Sequence, residues 1–451
     1  MIYYFEEGDY LKDLTVGHPG KVLFTYTLPL FGSIIFQQLY NIADSFVAGH
    51  YIGTNALSSV SNSYEITLIY IALAFGCNVG TSVITARCFG QKDFAQVRTA
   101  VYTALIFAAG LGLFMTAAGT MLSGRMLALI NTPAELMRDS QEYLNIYLWG
   151  YIFLILYQVS TGIFSALGDS RTPFWFLAVS SVANIFVDIV FVRDFGLGVK
   201  GVAYATFLCQ SISGAAALVA VLWKVRKLEG GESRLFSGRI LAQILRIAAP
   251  SAIQQGCISI GNILIQSVIN GMGAAVMGGY GAAVKLNNMC ITSVTAMGNG
   301  ISNYTSQNYG AACHGRIRQG AKYGTLMCCV IAVAFTAVFQ LMAHPLLRLF
   351  ITDGNLEAEQ VGVMFLRIVS PFYCVIAVKL MSDGILRGLA RMTPFMISTM
   401  TDLILRVVLA FAFAPIWQSN GVWISWPIGW FVGTAMSFTF YWQWQKRQPR
   451  E

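Results

Sequence analysis

Two stretches of this sequence decide its fold: ARCFGQKDFAQVR at residues 86–98 and SQNYGAACHGRIR at residues 306–318, which lie 220 residues apart. In each stretch an aromatic residue followed by glycine closes an apolar run, and an arginine stands eight residues after that glycine. The proline pairs with a similar separation, 221 residues, are Pro29 with Pro250 and Pro173 with Pro394. Four landmarks at nearly one spacing indicate that the chain is an internal duplication.

The composition of the duplicated chain is typical of a membrane protein. Of its 451 residues, 56% are hydrophobic and 11% are charged, whereas an average soluble chain carries about 25% charged residues. So few charges cannot cover the surface of a soluble protein of this size. This excludes a soluble enzyme, a nucleic-acid-binding domain and a disordered scaffold. The net charge of +8 is therefore interpreted as a topology signal, with no nucleic acid as partner.

Twelve apolar runs are long enough to cross a bilayer, since one span needs about 20 residues. Backbone groups exposed to lipid must bond within their own segment, so each run is predicted to be a helix. The runs are approximately 22–48, 55–84, 97–122, 140–167, 173–195, 201–224, 242–270, 276–306, 320–343, 359–387, 394–416 and 421–444. The predicted fold class is an all-α polytopic membrane protein with two pseudo-symmetric six-helix bundles.

The distribution of lysine and arginine predicts the orientation of the spans. Of the 29 basic residues, 20 fall on the side of the N-terminus, five on the opposite side and four inside spans, which predicts that both termini are cytoplasmic. The acidic N-terminal segment lacks a basic region before a short apolar core, so a cleaved signal peptide is not expected. The predicted domains are an N-terminal segment 1–20, bundles 21–227 and 240–445, a linker 228–239 and a tail 446–451.

Each repeat contains six spans, so both repeats have the same orientation in the membrane. Repeats of this kind are related by an axis along the membrane normal, and substrate is expected between the two halves.

Several polar residues fall within the outer half of the first bundle. Gln37, Asn41 and Asp44 follow i, i+4, i+7 on the first span, and Asn184 and Asp188 follow i, i+4 on the fifth. The neighbouring spans contribute Tyr143, Thr206 and Gln210. Two carboxylates that share a cavity favour retention of a proton, and oxygen ligands also suit Na⁺. The functional interpretation is a cation-coupling site at Asp44, Asp188, Asn184, Tyr143 and Thr206. Separate helix–helix hydrogen bonds are the structural alternative.

Other buried polar residues allow two interpretations each. Glu65 and Lys285 are separated by 220 residues and have opposite charge, so they could meet across the pseudo-symmetry axis as a gating pair or remain within their own bundles. Asp402 and Arg406 stand at i, i+4 in the eleventh span, which favours a local intrahelical pair over substrate contact.

A polar stripe in the seventh span also has two interpretations. It consists of Gln255, Ser259, Asn262 and Gln266, and it either lines a substrate cavity with Gln37, Asn41 and Gln210 or packs helices together.

No motif for catalysis or for a cofactor stands out. The sequence lacks a phosphate-binding GxxxxGK[ST] loop and an HExxH motif, and its four histidines are scattered. The nine cysteines include no CxxC pair, so neither a metal site nor a disulfide is expected. We expect no catalytic residues and no cofactor apart from a coupling ion.

The motifs together resemble those of the multidrug and toxic compound extrusion (MATE) family, prokaryotic DinF-like branch. The resemblance covers approximately residues 17 to 445. It rests on the stretch 29–53, on the motifs ARCFGQKD, SALGDSRTP and GVAYAT, and on the pair Asn184 and Asp188. It implies a cation-coupled antiporter with two six-helix bundles that exchanges H⁺ or Na⁺ for organic cations. It also implies coupling roles for Asp44, Asp188, Asn184, Tyr143 and Thr206, while Glu65 is not part of the family motif.

The expected function is therefore secondary active efflux of organic cations or drugs across the inner membrane by alternating access. The protein is expected to be a monomer whose partners are its small-molecule substrates and the lipid bilayer. A lipid-linked oligosaccharide or lipid flippase of the same superfamily is the alternative. Such flippases usually have extra spans and a strongly cationic cavity. A membrane-embedded enzyme would need clustered nucleophile, base or metal ligands.

Overall fold

The computed structural model describes the backbone of residues 12–47, 54–130, 132–351 and 355–448. The side chains of residues 38–47, 54–62, 64 and 65 lie outside this description. Helices make up nearly all of the described chain, and no strand occurs in these ranges.

Thirteen helices follow one another within the described ranges. In the first half they are α1 (Pro19–Val47), α2 (Thr54–Gly90), α3 (Phe94–Leu129), α4 (Ala134–Trp149), α5 (Tyr151–Ala166), α6 (Arg171–Ile189) and α7 (Val199–Arg226). In the second half they are α8 (Gly238–Asn270), α9 (Ala274–Gly310), α10 (His314–Arg348), α11 (Leu356–Val369), α12 (Tyr373–Gly388) and α13 (Met392–Lys446).

These thirteen helices form twelve membrane spans. The helices α4 and α5 make one span that bends by 46° at Gly150, and α11 and α12 make one span across a 3₁₀ turn at Ser370–Phe372. Conversely, the 55 residues of α13 contain a break at Gln418, whose φ is 51°. A continuous helix of that length would measure about 80 Å, which exceeds twice the hydrocarbon thickness. The predicted all-α fold with twelve membrane helices is confirmed.

The chain packs as two compact units. Most of the first unit is Leu28–Ile253, and the second contains Leu14–Thr27 with the chain from Gln254 onwards. Hydrogen bonds explain why the start of α1 belongs to the second unit. The Leu14 N–H donates to Gln307 Oε1 at 2.9 Å, and Asn303 Nδ2 donates to the Tyr26 hydroxyl at 3.0 Å. The domain boundaries predicted from the duplication, including the linker 228–239, stay a prediction.

Each arginine of the duplicated motif donates hydrogen bonds to main-chain carbonyls near the end of the last helix of its own repeat. Arg98 donates to the carbonyls of Leu228, Gly230 and Gly231, which follow the end of α7. Arg318 donates to the carbonyls of Gln445 at 3.3 Å and Gln448 at 3.4 Å, at the end of α13. The Gln445 carbonyl belongs to the last turn of α13, where carbonyls lack intrahelical partners, whereas the carbonyls that Arg98 reaches lie in the segment after α7. The motif arginine of each repeat therefore holds the chain at or just beyond the end of the last helix.

A buried ion pair anchors the loop between α5 and α6 in the first unit. The Lys224 ammonium on α7 donates to the Asp169 carboxylate, and both side chains are buried. The same carboxylate accepts the N–H groups of Arg171 at 3.1 Å and Thr172 at 3.0 Å, which caps the start of α6. This carboxylate thus fixes where α6 begins relative to α7.

Removing only the cation should destabilise this unit strongly. We expect Lys224→Met to lower the free energy of unfolding by about 3–5 kcal/mol, because it leaves Asp169 buried without its charge partner. The double variant Asp169→Asn/Lys224→Met should recover at least half of that loss. Thermal unfolding of the detergent-solubilised protein measures both effects. Lys227→Met, at an exposed position three residues further on, is the matched control. Equal melting temperatures of Lys224→Met and Lys227→Met would contradict the role of this ion pair.

Candidate functional site

Asn184 and Asp188 form the centre of a polar site in the first unit. They stand one turn apart on α6 and are 2% and 0% exposed, so the carboxylate lies wholly within the packed helices. Directly after α6 the chain makes a π-helical turn at Val190–Asp194. Such widened turns frequently occur beside functional residues in helices. The sequence pattern did not reveal this turn.

The helix α7 supplies the neighbouring wall of the site. The Cys209 thiol lies beside both Asn184 and Asp188. Thr206 stands three residues earlier on the same face of α7, and its buried hydroxyl oxygen has no hydrogen-bond partner among the described residues. The structure therefore brings Asn184, Asp188 and Thr206 to one interface between α6 and α7.

Tyr143 reaches this region from α4. Its ring is buried in an apolar cluster with Val192, Val202 and Ala203. Because Val192 stands one helical turn beyond Asp188, the ring covers the end of α6 that carries the carboxylate. Three helices of one unit thus hold the predicted residues Tyr143, Asn184, Asp188 and Thr206.

This arrangement suits the binding of a small cation. An ionised carboxylate buried among apolar side chains is costly unless a proton or a metal cation neutralises it. The amide oxygen of Asn184 and the Thr206 hydroxyl are additional oxygen ligands of the kind that alkali cations accept. Among the described residues no group of three or more metal-ligating His, Cys, Asp or Glu side chains occurs.

The remaining predicted residues of the first unit are less informative. The side chains of Asn41, Asp44 and Glu65 lie outside the described residues, so their roles stay predictions. Gln37 is exposed on α1, and Gln210 is half-buried on α7.

The second unit contains a buried set of charges that sequence reasoning mostly missed. Lys379 Nζ lies 2.8 Å from Asp383 Oδ2 on the same helix α12 and 3.5 Å from Asp402 Oδ2 on α13. Asp383 also accepts the hydroxyls of Ser437 at 2.5 Å and Ser398 at 3.5 Å. The available signal is the spacing of Lys379, Asp383 and Arg387 at i, i+4, i+8, which places all three on one face of the helix.

The structure departs here from the predicted direct pair of Asp402 with Arg406. Asp402 contacts Lys379, while Arg406 Nη2 donates to Asn262 Oδ1 at 3.2 Å and the guanidinium stands 4.5 Å from the centroid of the Trp426 ring. The reason is tertiary packing, because Lys379 approaches Asp402 from the neighbouring helix α12, whereas the i, i+4 pattern relates only residues of one helix. Asp402 still interacts with Arg406 through its charge.

Two further predictions fall in the second unit. In the polar stripe, Gln255 is half-buried, Asn262 is exposed and Gln266 donates along its own helix to Asn270 at 2.8 Å. Lys285 is exposed, with its ammonium 5.7 Å from the centroid of the Phe350 ring. Its pairing with Glu65 stays a prediction.

Twelve membrane helices, an internal duplication and buried ionisable groups define a polytopic membrane transporter. Comparison with known proteins identifies the family, because the MatE family model matches residues 29–190 and 250–412, one match in each half of the chain. The chain belongs to the MATE family, whose members are transporters and not enzymes.

Similar proteins are known from several microorganisms. The chain is 28% identical to the probable multidrug resistance protein YpnP of Bacillus subtilis, over 95% of this chain and 94% of that one. It is 23% identical to an FAD transporter of Shewanella oneidensis, over 74% and 75% of the two chains. A MOP superfamily transporter from Pyrococcus furiosus has the same fold, with a TM-score of 0.91 at 24% identity over 98% of this chain and 99% of that one.

The charges in the second unit depend on a glycine of α13. A Cβ atom at Gly433 would lie 2.7 Å from Lys379 Cε and 2.9 Å from Asp402 Cβ. We expect Gly433→Ala to lower the free energy of unfolding by about 1–3 kcal/mol, because the ion pair must shift to admit the methyl group. Thermal unfolding in detergent measures this loss.

Gly256→Ala on α8 is the matched control, since a Cβ atom there meets nothing within 4 Å. This variant should be unchanged or slightly stabilised. Equal destabilisation of the two variants would contradict the packing described for Gly433.

Proposed function

We propose that this transporter exports small amphipathic organic cations, drugs among them, in exchange for H⁺ or Na⁺ that binds at Asp188. The coupling ion enters from outside the cell, and both termini are cytoplasmic in the inner membrane. The names of the Bacillus subtilis relative and of other relatives, multidrug resistance or export proteins, support drugs as the substrate class.

The observation that carries the proposal is the complete burial of Asp188 beside Asn184 and the unsatisfied hydroxyl of Thr206. A charge at the bilayer centre costs at least about 2.5–3.5 kcal/mol on insertion scales. Binding of a cation removes that cost, and its release restores it. The ion therefore has different affinities for conformations that differ in the solvation of Asp188.

This difference is what an antiporter needs. A ligand shifts a conformational equilibrium only by its differential affinity for the two states, and a factor of ten corresponds to about 1.4 kcal/mol. In the proposed cycle the outward-open form releases drug and takes up the ion at Asp188. The unit rearranges, the ion leaves to the cytoplasm, and new drug binds. Asp44, Asn184, Tyr143 and Thr206 shape the site around the ion in this proposal.

Transport of ethidium into or out of proteoliposomes tests the coupling site. We expect an imposed gradient of either H⁺ or Na⁺ to drive ethidium movement by the wild type. Asp188→Asn should reduce the rate at least about tenfold, because the amide has no negative charge that a coupling ion could neutralise. Asp194→Asn is the matched control, since Asp194 is exposed and pairs with the adjacent Arg193.

An active wild type with an equally active Asp188→Asn variant would contradict the site. A wild type that moves ethidium with neither gradient, but moves fluorescent lipid between leaflets, would favour the flippase alternative.

A further inference from the structure

Five charged side chains of the second unit alternate in sign along one buried path. In order they are Arg406, Asp402, Lys379, Asp383 and Arg387. Among these five groups the positive charges exceed the negative ones by one. Among the described residues no other hydrogen bond or ion pair adds a carboxylate to this path. The path therefore has an excess positive charge, which an anion would neutralise.

The two ends of the path are guanidinium groups with similar surroundings. Arg406 donates to the amide oxygen of Asn262 at 3.2 Å, and Arg387 donates to that of Asn299 at 3.0 Å. Each guanidinium also faces an aromatic ring, and the buried Nε of each has no hydrogen-bond partner among the described residues. Neutral oxygens satisfy only part of what a buried guanidinium can donate, since it has five N–H groups.

The two ends of the path differ in the exposure of the asparagine that accepts from the guanidinium. Asn262 on α8, beside Arg406, is exposed, whereas Asn299 on α9, beside Arg387, is only partly exposed. A molecule that reaches Asn262 therefore meets the guanidinium directly behind it.

Further donors stand around Arg406. The Trp426 side chain is buried, and its indole N–H has no hydrogen-bond partner in the part of the chain that the structure describes. Tyr280 on α9 lies within electrostatic range of the guanidinium, as does Asp402 one turn earlier on α13. Of these groups only Asp402 opposes an anion, and its carboxylate already interacts with Lys379.

We propose that Arg406, together with Trp426 and Asn262, binds a carboxylate on the transported molecule. A guanidinium presents parallel N–H groups that match a carboxylate in two-point geometry, which favours this anion over a single-point acceptor. The flat indole beside it suits an aromatic body on the same molecule. The substrate class is thus an aromatic amphipathic compound with a free carboxylate, including zwitterions, and this inference rests on the proposed export of amphipathic compounds.

A matched pair of dyes tests the proposal. Rhodamine B has a free carboxylate, and its ethyl ester has the same aromatic body without that charge. Fluorescence anisotropy with the purified full-length protein in detergent measures the Kd of each dye. We expect Arg406→Gln to weaken rhodamine B binding at least about tenfold and the ester less than about twofold. Arg367→Gln, at an exposed arginine of α11, should change neither Kd.

A second variant should act in the opposite direction. Asp402→Asn removes the negative charge nearest to Arg406, so we expect it to tighten rhodamine B binding by about threefold or more and to leave the ester unchanged. Damage to folding would weaken the binding of both dyes. Tighter binding of rhodamine B alone therefore keeps the test valid if Arg406→Gln fails to fold. Equal effects of either variant on the two dyes would overturn the proposal.

Ethidium transport separates this inference from the proposed function. A wild type that distinguishes the dyes through Arg406 but moves no ethidium with an H⁺ or Na⁺ gradient would contradict the proposed antiport alone. A wild type that moves ethidium but binds both dyes regardless of Arg406 would contradict the carboxylate site alone.

Discussion

The cost of a charge in hydrocarbon governs this structure. A charged side chain away from water must find a partner, a ligand or a proton. Asp169 meets this constraint with Lys224 and the N–H groups at the start of α6, which fixes a loop. Lys379 meets it with two carboxylates. Asp188 is 0% exposed beside Asn184, and in our proposal an exchangeable H⁺ or Na⁺ meets the same constraint there.

The two repeats share one helix arrangement but differ in the charge of the polar pair on their fifth span. The fifth span of each carries a polar pair one turn apart: Asn184 with Asp188 in the first repeat and Asp402 with Arg406 in the second. The first pair is acidic, and a small cation suits it. The second belongs to a path with excess positive charge, and an anionic group suits it. Duplication supplied the scaffold twice, and in each copy the motif arginine, Arg98 or Arg318, donates to carbonyls at or just beyond the end of the last helix.

Much of the fold could be predicted because bilayer thickness dictates the length of each apolar run, and the duplication fixed their number. Helical periodicity placed Asn184 and Asp188 on one face of a helix, and Tyr143 and Thr206 were expected near them from their positions along the neighbouring spans. What could not be predicted depends on contacts between distant segments. Lys379 reaches Asp402 from another helix, and the π-helical turn after α6 leaves no signature in the residue pattern. Periodicity identifies the face of a helix but not the neighbour that packs against it.

The central claim is that Asp188 exchanges its coupling ion for substrate. The most direct measurement is proton release upon ethidium binding to the purified protein in weakly buffered detergent solution, with a pH-indicator dye, together with ²²Na⁺ displacement. The account predicts that the wild type releases about one H⁺ or one Na⁺ for each ethidium bound, and that Asp188→Asn binds ethidium without releasing either ion. Equal ion release by both proteins, or ethidium binding without ion release by the wild type, would contradict it.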